Sequence, residues 1–543
     1  MIGSTVRARR EEEPISVPSW NPPRELSQRE QTLLKRRTKK LFGFLREYRH
    51  ELFDEGFQKE LASMYRERGE GKAPVAPALL AMVTLLQAYT GASDAEAVDL
   101  SMDNARWQMV LGVLGEEEAP FSQGVLSPFR DRLIAHEMDR RLLERTVELA
   151  RRTGGFDPKK LPKTLRLAVD SRPLIGAGRV EDTFNLLGRA ARQLLTCAAK
   201  VKGEEPKQIA ERIGAQLLLG RSIKSALDIA DWTNEAQKGE ALSRLLTAIA
   251  ALEEWVREEL GERAGEPPVA EKLATLGQLR EQDLDPEPPG GGKAQIREGV
   301  APDRRVSLGD PEMRHGRKSK SRTFSGYKSH LATDLDQKLV LACAVTPANR
   351  PEGEGLDSMR NDLARVISHP IEELHVDRAY VGATYTSDLM AQGAELMSKA
   401  RGVAANDGYF DKSDFKTDLR AKTATCPAGQ SIPITLGQVA RFNPEKCAAC
   451  PLRIICTSAA LGHGRTLSIA ADEPLQRRLR NLSASRSGRA SQRQRVTIEH
   501  RLAHHAQKQG RFARYLGLRK NLLDSRRHAA ILNLEVLHAR RAA

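Results

Sequence analysis

The sequence predicts an α/β protein whose mixed sheet is preceded by an all-α domain and interrupted by two insertions, one helical and one rich in cysteine. Two short apolar runs that end in a carboxylate, LRLAVD (165–170) and ELHVD (373–377), have the length and composition of buried strands. TFSGYKSHLATDL and KLVLACAVTP form a candidate hairpin joined at DLDQ. Longer stretches repeat apolar residues at spacings of three and four, which is typical of amphipathic helices.

The N-terminal part contains a predicted disordered tail, residues 1–26, and a helical domain, residues 27–155. Within this domain, QTLLKRRTKKLFGFLREYRHELF and APALLAMVTLLQAYTGASDAEAVDL both have helical periodicity, and Ser93 is placed as the N-cap of the helix after TGAS. The two helices on either side of TGAS could form a DNA-reading helix-turn-helix. They could equally form a packing and dimerisation unit, because many antiparallel helix pairs have the same sequence pattern.

The remaining chain divides by changes of period and composition. Pro and Gly make DLDPEPPGGGKAQIREG a linker, and its GGGK is not a phosphate-binding loop, because Ala294 stands where Ser or Thr is required. The predicted segments are a first part of the core (160–190), a helical insertion with linker (191–309), a second part of the core (310–410), a cysteine-rich zinc-type insertion (411–472) and C-terminal catalytic and basic helices (473–543).

Charge indicates the kind of partner. The chain has 86 Lys and Arg against 71 Asp and Glu, a net charge of +15. Residues 474–543 hold 17 Lys/Arg and three acids, a balance of 17 minus 3, or +14, and the stretch from Arg314 to Lys328 has six Lys/Arg and no acid. Such surfaces neutralise nucleic-acid phosphates, although a solvated, solubilising face has the same composition.

No apolar stretch approaches the length of a membrane span, and the N-terminus lacks a secretory signal, so we expect a cytoplasmic protein.

Three carboxylates are candidates for metal chemistry. Asp170 and Asp377 follow predicted strands that would bring them together if the strands are neighbours, and Glu499 lies on the basic helix one turn after Arg495. Three such groups can hold two divalent ions, for which Mg²⁺ is well suited, and these ions promote in-line attack on phosphorus. On its own stretch, Asp377 is better explained as a helix cap after a strand, and Glu499 could simply be a salt-bridge partner of its basic neighbours.

Several blocks resemble the DDE transposases of bacterial insertion sequences. In order, they are YRERGEGKAPVAPALLAMVTLLQAYTGASDAEAV, AVDSRPLIGAGRVEDTFNLL, DPEMRHGRKSKSRTFSGYKSHLATD, VTPANRPEGEGL, LHVDRAYVG and RVTIEHRLAHHAQKQGRFARYLGLRKN, and the resemblance extends from about residue 55 to the C-terminus. It implies an RNase H-like core, with Asp170, Asp377 and Glu499 as the catalytic triad.

One branch of that family has a Tyr, Arg, Glu, Lys signature around its glutamate, and this chain matches it in part. Arg495 and Glu499 fit, whereas Gln492 and Ala506 stand at the Tyr and Lys positions, with Lys508 nearby as a substitute. Asp182 is a reserve metal ligand, which we interpret instead as the N-cap of the following helix.

Six cysteines fall into two groups. Cys197 and Cys343 lie in apolar surroundings and are predicted core residues. The other four have the spacing C-x20-C-x2-C-x5-C, which favours a structural Zn²⁺ site over disulfides, unmetallated thiols or an iron–sulfur cluster. They are Cys426, Cys447, Cys450 and Cys456.

The predicted function is a DNA transposase that binds inverted-repeat ends, cleaves DNA there and joins the 3′-hydroxyl ends to target DNA with two Mg²⁺ or Mn²⁺ ions. We expect double-stranded DNA of the bacterial nucleoid as its partner, at least a homodimer, and recognition of the ends by the N-terminal helices or the helical insertion. The alternatives are an inactive derivative that still binds DNA and a nuclease that does not join strands. The predicted DNA-contacting residues are Arg314, Arg317, Lys318, Lys320, Arg322, Lys328, Arg495, Lys508, Arg511, Arg514, Arg519 and Lys520.

Overall fold

The computed structural model begins with a helical region. It describes residues 17–35, 40–65, 73–153, 164–285, 294–319, 321–367, 369–402 and 408–541. The N-terminal helices are α1 (Gln28–Lys35), α2 (Lys40–Leu52), α3 (Glu55–Ala62), α4 (Pro77–Thr90), α5 (Asp94–Asp103), α6 (Ala105–Leu111), α7 (Gln123–Ala135) and α8 (Met138–Arg152). The predicted cap is confirmed: the Ser93 hydroxyl accepts from the Glu96 N–H, and Glu96 bonds back to the Ser93 N–H.

A mixed sheet forms the centre of the fold. Its strands are β1 (Leu165–Ile175), β2 (Arg314–Arg317), β3 (Thr323–Asp334), β4 (Val340–Pro347), β5 (Ile371–Val376) and β6 (Glu395–Met397). The order is β2-β3-β1-β5-β6, and β4 pairs with β3. β3 runs antiparallel to β1 and β4, whereas β5 and β6 continue parallel to β1. This order is consistent with the RNase H-like core, and the predicted β3–β4 hairpin is confirmed.

The insertion after β1 is helical and has its own apolar core. Its helices are α9 (Thr183–Lys202), α10 (Pro206–Arg212), α11 (Ile223–Leu227), α12 (Glu235–Leu260) and α13 (Val269–Asp283), with 3-10 turns at Gln216–Leu219 and Gly261–Gly265. Asp182 is the N-cap of α9, as interpreted, because its carboxylate accepts from the Asn185 N–H at 3.3 Å. The central part of the Pro- and Gly-rich linker, residues 286–293, lies outside the described residues.

The chain then alternates between the sheet and smaller units. α14 (Glu352–Val366) and α15 (Thr384–Ala391) connect β4, β5 and β6, and a 3-10 turn, Arg378–Tyr380, follows β5. The cysteine-rich segment contains β7 (Lys416–Asp418), β8 (Thr423–Thr425), β9 (Ser431–Pro433), β10 (Val439–Arg441), α16 (Pro444–Ala448) and β11 (Thr466–Ser468), with 3-10 turns at Lys412–Asp414 and Arg453–Ile455. The last helices are α17 (Glu473–Ala484), α18 (Arg486–Arg493), α19 (Val496–Gln509) and α20 (Leu518–Arg541).

One apolar core joins the N-terminal helices to the sheet. It includes residues of α2, α4 and α8, of β1, β3, β4 and β5, and of α20. α20 is buried along most of its length and packs on α4, α8 and β4. Its Asn533 side chain bonds to both the N–H and the C=O of Val340, which fixes the helix to the sheet. The N-terminal helices are therefore part of the framework of the sheet.

Three predictions are corrected by the structure. The tail was expected to be disordered to residue 26, but Trp20 is buried and donates its indole N–H to Leu111 O at 3.1 Å; residues 1–16 lie outside the described residues. β1 does not end at Asp170 but continues to Ile175, because β3 pairs with it along that length. The helix expected from Arg486 to Gly510 is divided at Gln494 and Arg495.

No helix in the described ranges combines the length and apolarity needed to cross a membrane.

Candidate active site

The register of two parallel strands brings Asp170 and Asp377 together. Val169 on β1 is paired with Val376 on β5, so the two aspartates are the next residues on neighbouring strands. Paired residues of parallel strands project from the same face of a sheet. The expected convergence of these two acids is therefore present in the structure.

Arg495 lies between the two carboxylates. Its Nη2 is 3.3 Å from Asp170 Oδ2, and its Nη1 is 3.6 Å from Asp377 Oδ1. Arg495 and Asp170 are largely buried, with side chains 14% and 18% exposed, whereas the Asp377 side chain is 50% exposed. The break between α18 and α19 places this arginine immediately before the first residue of α19, at its N-cap position.

Burial raises the pKa of the Asp170 carboxyl. The Ser171 N–H, which donates to Asp170 Oδ1 at 2.8 Å, and the Arg495 guanidinium act in the opposite direction, and the negative charges of Asp377 and Glu352 add to the rise. The site therefore concentrates negative charge in a poorly solvated place, which is where a cation is most strongly bound.

Asp377 also caps the short turn that follows β5. Its Oδ1 accepts from the Arg378 N–H at 2.8 Å, and the Asp377 C=O accepts from the Tyr380 N–H at 3.0 Å. Capping and membership of an acidic pair are thus compatible at this residue, since the capping bond fixes the carboxylate beside Arg495.

Glu352 is a further acid near the two aspartates, and sequence reasoning missed it. It is the first residue of α14, whose first turn packs closely on the turn after β5: a Cβ at Gly353 would lie 3.2 Å from the Cβ of Ala383. The negative charge of Glu352 contributes to raising the pKa of both Asp170 and Tyr380. The signal was an acid immediately after Pro351 at the start of a helix that follows a core strand, in the block VTPANRPEGEGL.

A buried hydrogen-bonded network holds the turn that follows Asp377. The Tyr380 hydroxyl and His330 Nδ1 are 2.8 Å apart, and His330 Nε2 is 2.9 Å from the Thr346 hydroxyl. Burial lowers the pKa of His330 to about 3 and raises that of Tyr380 well above its usual value. Both rings are therefore neutral at physiological pH and position the turn after Asp377 without adding charge.

Glu499 is not joined to the two aspartates by any side-chain contact within the described residues. Its carboxylate is exposed, and its N–H donates to Arg495 O at 3.2 Å as part of the helix. It lies one helical turn, ~6 Å of rise, after Arg495. Arg495 places the start of α19 at the site, and Glu499 follows on the same side of the helix.

The donor chemistry of the site fits a hard divalent cation, although the side chains are not closed around one. No group of three or more His, Cys, Asp or Glu side chains in the described ranges is arranged to hold a metal ion. Asp170, Asp377 and Glu352 nevertheless supply the carboxylate oxygens that Mg²⁺ and Mn²⁺ prefer. In this structure, the Arg495 guanidinium partly neutralises the negative charge of Asp170 and Asp377, which a bound cation would otherwise neutralise.

The four clustered cysteines line one pocket of about 400 Å³ in the cysteine-rich segment. All are free thiols. Burial raises the pKa of the Cys456 thiol, and the nearby Cys447, Cys426 and Cys450 contribute to the rise, although Arg465 opposes it. The segment has a small apolar core of its own, which contains Phe415 and Phe442.

The other two cysteines were predicted to be core residues. Cys343 is buried, and the partly buried Cys197 packs on the core of the helical insertion.

The predicted DNA-contacting cations divide into two sets. Those that form internal contacts are Arg314 with Asp303, Lys328 with Arg350 O, Arg495 with the two aspartates, Lys508 with Glu535, Arg514 with Ala92 O, Arg519 with Asp139, and Lys520 with Asp131. Those that are exposed and make no side-chain ion pair within the described ranges are Arg317, Lys318, Arg322 and Arg511. Lys320 lies outside the described residues.

Two surfaces that were candidates for DNA recognition are acidic. α5, the second helix of the possible helix-turn-helix, carries Asp94, Glu96, Asp99 and Asp103 and no Lys or Arg, and α4 before it is buried from Pro77 to Ala88. The helical insertion, 183–285, has 14 Lys/Arg and 17 Asp/Glu, a balance of 14 minus 17, or −3. A groove-reading helix has to approach phosphates, so the packing interpretation of α4 and α5 is favoured.

The sheet order and the paired aspartates define an α/β protein with an RNase H-like core. Residues 425–538 match the family model described as Transposase DDE domain, and residues 32–132 match the one described as Transposase domain (DUF772). The first range contains Arg495, Glu499 and the four clustered cysteines; the second contains α2 and α4 to α6. These findings support a DDE transposase of an insertion sequence, as the sequence blocks predicted. No curated protein and no solved structure matches the chain.

Proposed function

We propose that this transposase binds the ends of its element, cleaves DNA strands there and joins the freed 3′-hydroxyl ends to target DNA. The observation that carries the proposal is the register of β1 and β5, which sets Asp170 and Asp377 side by side, with Arg495 in contact with both. The two matches to transposase families cover Arg495 and Glu499 but neither aspartate, and they support the proposed class of reaction.

Asp170, Asp377 and Glu499 would hold two Mg²⁺ or Mn²⁺ ions, with Glu352 close enough to add charge. Bound cations of this kind activate a water or a 3′-hydroxyl and stabilise the leaving oxygen in an in-line displacement at phosphorus. The chain contributes fixed oxygens: Asp170 is held by the Ser171 N–H, and Asp377 by the Arg378 N–H.

Arg495 has a second task in this proposal. A guanidinium binds a carboxylate and a phosphate with the same pair of parallel hydrogen bonds. With cations bound to the acids, Arg495 would be free to bind a DNA phosphate beside the scissile bond. It thereby orients the strand, and a lysine would not reproduce its planar fork.

The basic residues at the tip of the β2–β3 hairpin and after α19 would hold the DNA backbone. Arg317, Lys318, Arg322 and Arg511 already present their charges to solvent. Backbone contacts position DNA without specifying sequence. Joining two ends requires that both be held at once, so we propose a homodimer, acting on nucleoid DNA in the bacterial cytoplasm.

The test is cleavage of a supercoiled plasmid carrying both ends of the element, with Mg²⁺, by wild type and by Asp377→Asn. A matched control is Asp285→Asn: the Asp285 side chain is 49% exposed and ion-paired with Arg297 at 3.3 Å, but it lies in the helical insertion. We expect nicks at the ends and joined products from wild type and from Asp285→Asn, and none from Asp377→Asn despite equal DNA binding.

The outcomes separate the alternatives. Equal cleavage by wild type and Asp377→Asn would remove Asp377 from the site. Binding without cleavage by wild type would indicate an inactive derivative, and cleavage without joined products would indicate a nuclease.

We also propose that Cys426, Cys447, Cys450 and Cys456 bind a structural Zn²⁺. The proposal is supported by the common pocket of four free thiols and by their mutual effect on Cys456. Zinc would draw the thiolates into a tetrahedral set and tie α16 to the turn at Gly429.

A further inference from the structure

Phe512, in the loop between α19 and α20, exposes an aromatic ring to solvent. Its side chain is 63% exposed, whereas every other Phe, Tyr and Trp in the described part of the chain is buried or partly buried. A single exposed apolar side chain is ordinary on a protein surface, so the role of Phe512 depends on how the ring is held and on which charges surround it.

The loop that carries Phe512 is held firmly. The Ile175 N–H donates to Arg511 O at 3.1 Å, and the Ala513 N–H donates to Ile175 O at 2.6 Å, so the backbone on both sides of Phe512 is bonded to the end of β1. Before it, the Arg172 guanidinium donates to Gly510 O at 3.1 Å.

After Phe512, the loop is tied to the sheet a second time. The Gly517 N–H donates to the Tyr327 hydroxyl at 3.2 Å, and that hydroxyl donates to the buried Asp310 at 2.5 Å. Arg514 donates to Ala92 O at 2.9 Å. Phe512 is therefore exposed on a fixed frame, and its exposure is not a consequence of a loose loop.

The position of Phe512 relates it to the candidate active site. It pairs with Ile175, five residues along β1 from Asp170, which corresponds to ~17 Å. On the other side of β1, Ile175 pairs with Gly326 of β3, and the hairpin tip with Arg317 and Arg322 lies farther in the same direction. A strand that leaves Asp170 toward this tip passes the ring.

The charges around the ring favour a nucleic acid over a protein. Arg511 and Arg514 flank Phe512 and are exposed, with the Arg511 guanidinium 5.9 Å from the ring centre. An apolar protein surface covering the ring would have to desolvate both cations, which is costly. Phosphates would neutralise them while a base covers the ring.

We propose that Phe512 stacks on an unpaired nucleobase of the DNA substrate, at a site distinct from the acidic pair. This inference rests on the proposed action on DNA and extends it. Stacking does not depend on the identity of the base, so the ring would hold a displaced or single-stranded nucleotide near the cleavage position without reading sequence.

The test uses the full chain and two fluorescent probes, a fully paired duplex and the same duplex with a 3′ single-stranded tail. We expect Phe512→Ala to weaken binding of the tailed probe about 5- to 100-fold and to leave binding of the duplex unchanged. Phe512→Trp should retain tail binding, and its added indole fluorescence should be quenched by the tail. Leu461→Ala, which removes an exposed apolar side chain of the cysteine-rich segment, is the control and should change neither affinity.

The proposal is overturned if Phe512→Ala binds both probes like wild type, or if Phe512→Leu binds the tail as tightly as Phe512 does, since a leucine cannot stack. Failure of wild type to bind either probe would overturn the proposed action on DNA itself. Tail-specific loss in Phe512→Ala, with cleavage by wild type absent, would retain the stacking site while removing the catalytic proposal.

Discussion

Arg495 is hydrogen-bonded to Asp170, with Nη2 3.3 Å from Oδ2, although the two residues are 325 positions apart in the chain. The guanidinium occupies the space beside the carboxylate that a divalent cation would approach. Since Arg495 also lies 3.6 Å from Asp377, a metal ion bound by these two acids would compete with the arginine for them.

Replacing Arg495 should therefore separate metal binding from catalysis. In Arg495→Ala, we expect Mn²⁺ to bind more tightly, because its competitor is gone, while DNA cleavage falls by about 100-fold for want of the phosphate contact. Titration calorimetry with Mn²⁺ and the cleavage rate measure the two effects. Arg495→Lys is the control for charge alone and should recover little activity. Unchanged metal affinity in Arg495→Ala would show that the arginine does not compete.

Glu352 should contribute to the charge of the site. We expect Glu352→Gln to weaken Mn²⁺ binding about tenfold and to lower the pKa of Asp170, because one of the negative charges that raise that pKa is removed. Calorimetry measures the first effect, and NMR titration of labelled aspartate the second. Glu354→Gln changes an exposed acid two residues farther along α14 and should have neither effect. If both variants behave alike, Glu352 has no special relation to the aspartates.

The clustered cysteines should determine the zinc content. We expect purified protein to contain about one equivalent of Zn²⁺ and Cys450→Ser to lose most of it, as measured by plasma mass spectrometry. Cys197→Ser alters a thiol that packs on the helical insertion and should keep the metal. If wild-type protein purified in the presence of zinc contained no bound Zn²⁺, that result would contradict the proposed zinc site.

The buried Asp139 should be essential for the stability of the whole fold. Its side chain is 3% exposed and pairs with Arg519 at 2.5 Å and Arg526 at 3.0 Å, which joins α8 to α20. Asp139→Asn leaves Arg519, whose side chain is 36% exposed, without its counter-charge, while Arg526 keeps its ion pair with Asp362 at 2.6 Å. We therefore expect a loss of ~1–3 kcal/mol in the free energy of unfolding, measured by urea denaturation. Asp131→Asn breaks an exposed pair with Lys520 and should cost less than ~1 kcal/mol. Equal losses would show that the buried pair has no special weight.

Acid should destabilise the protein through three buried histidines. Burial lowers the pKa of His330 and His505 to about 3 and that of His528 to about 4. Below the unfolded value, ~6.5, the unfolded chain binds more protons than the folded one, so stability falls as the pH drops from about 6.5 toward 3 or 4. Each histidine contributes at most ~1.4 kcal/mol per pH unit in that window.

The measurement is the melting temperature between pH 7 and 5. His505→Gln should melt with a weaker pH dependence than wild type, by about one histidine's share. An identical slope would mean that folding does not lower the pKa of His505.

Much of the framework follows from the sequence, because local patterns determine it. LRLAVD and ELHVD were recognised as strands, and the hairpin and the cap at Ser93 both appear where composition and turn residues predicted them. The convergence of Asp170 and Asp377 was expected because functional groups gather at the ends of neighbouring strands. The two acids do converge, but Asp170 lies within β1, and it is the parallel register of β1 and β5 that brings them together.

What the sequence did not reveal depends on long-range pairing. β1 extends beyond Asp170 because β3 pairs with it, and no local pattern in SRPLI records that partner. Trp20 is buried through contacts with residues far along the chain. Glu352 reaches the site only because α14 packs on the turn after β5, and Lys508 is paired with Glu535 across two helices, so its availability for DNA could not be judged from charge alone.

The packing of α20 against α4 also has a consequence for synthesis. Leu518 lies 428 residues after Thr90, the difference between 518 and 90. At ~5–20 residues per second, a ribosome needs roughly 20–90 s to produce the partner of α4 after α4 has emerged. During that interval the apolar surface of α4 that α20 covers is open to chaperones and to aggregation, and the native core cannot close. The working enzyme is therefore expected to appear late, and its yield in the cell should depend more on chaperone supply during translation than on the stability of the finished fold.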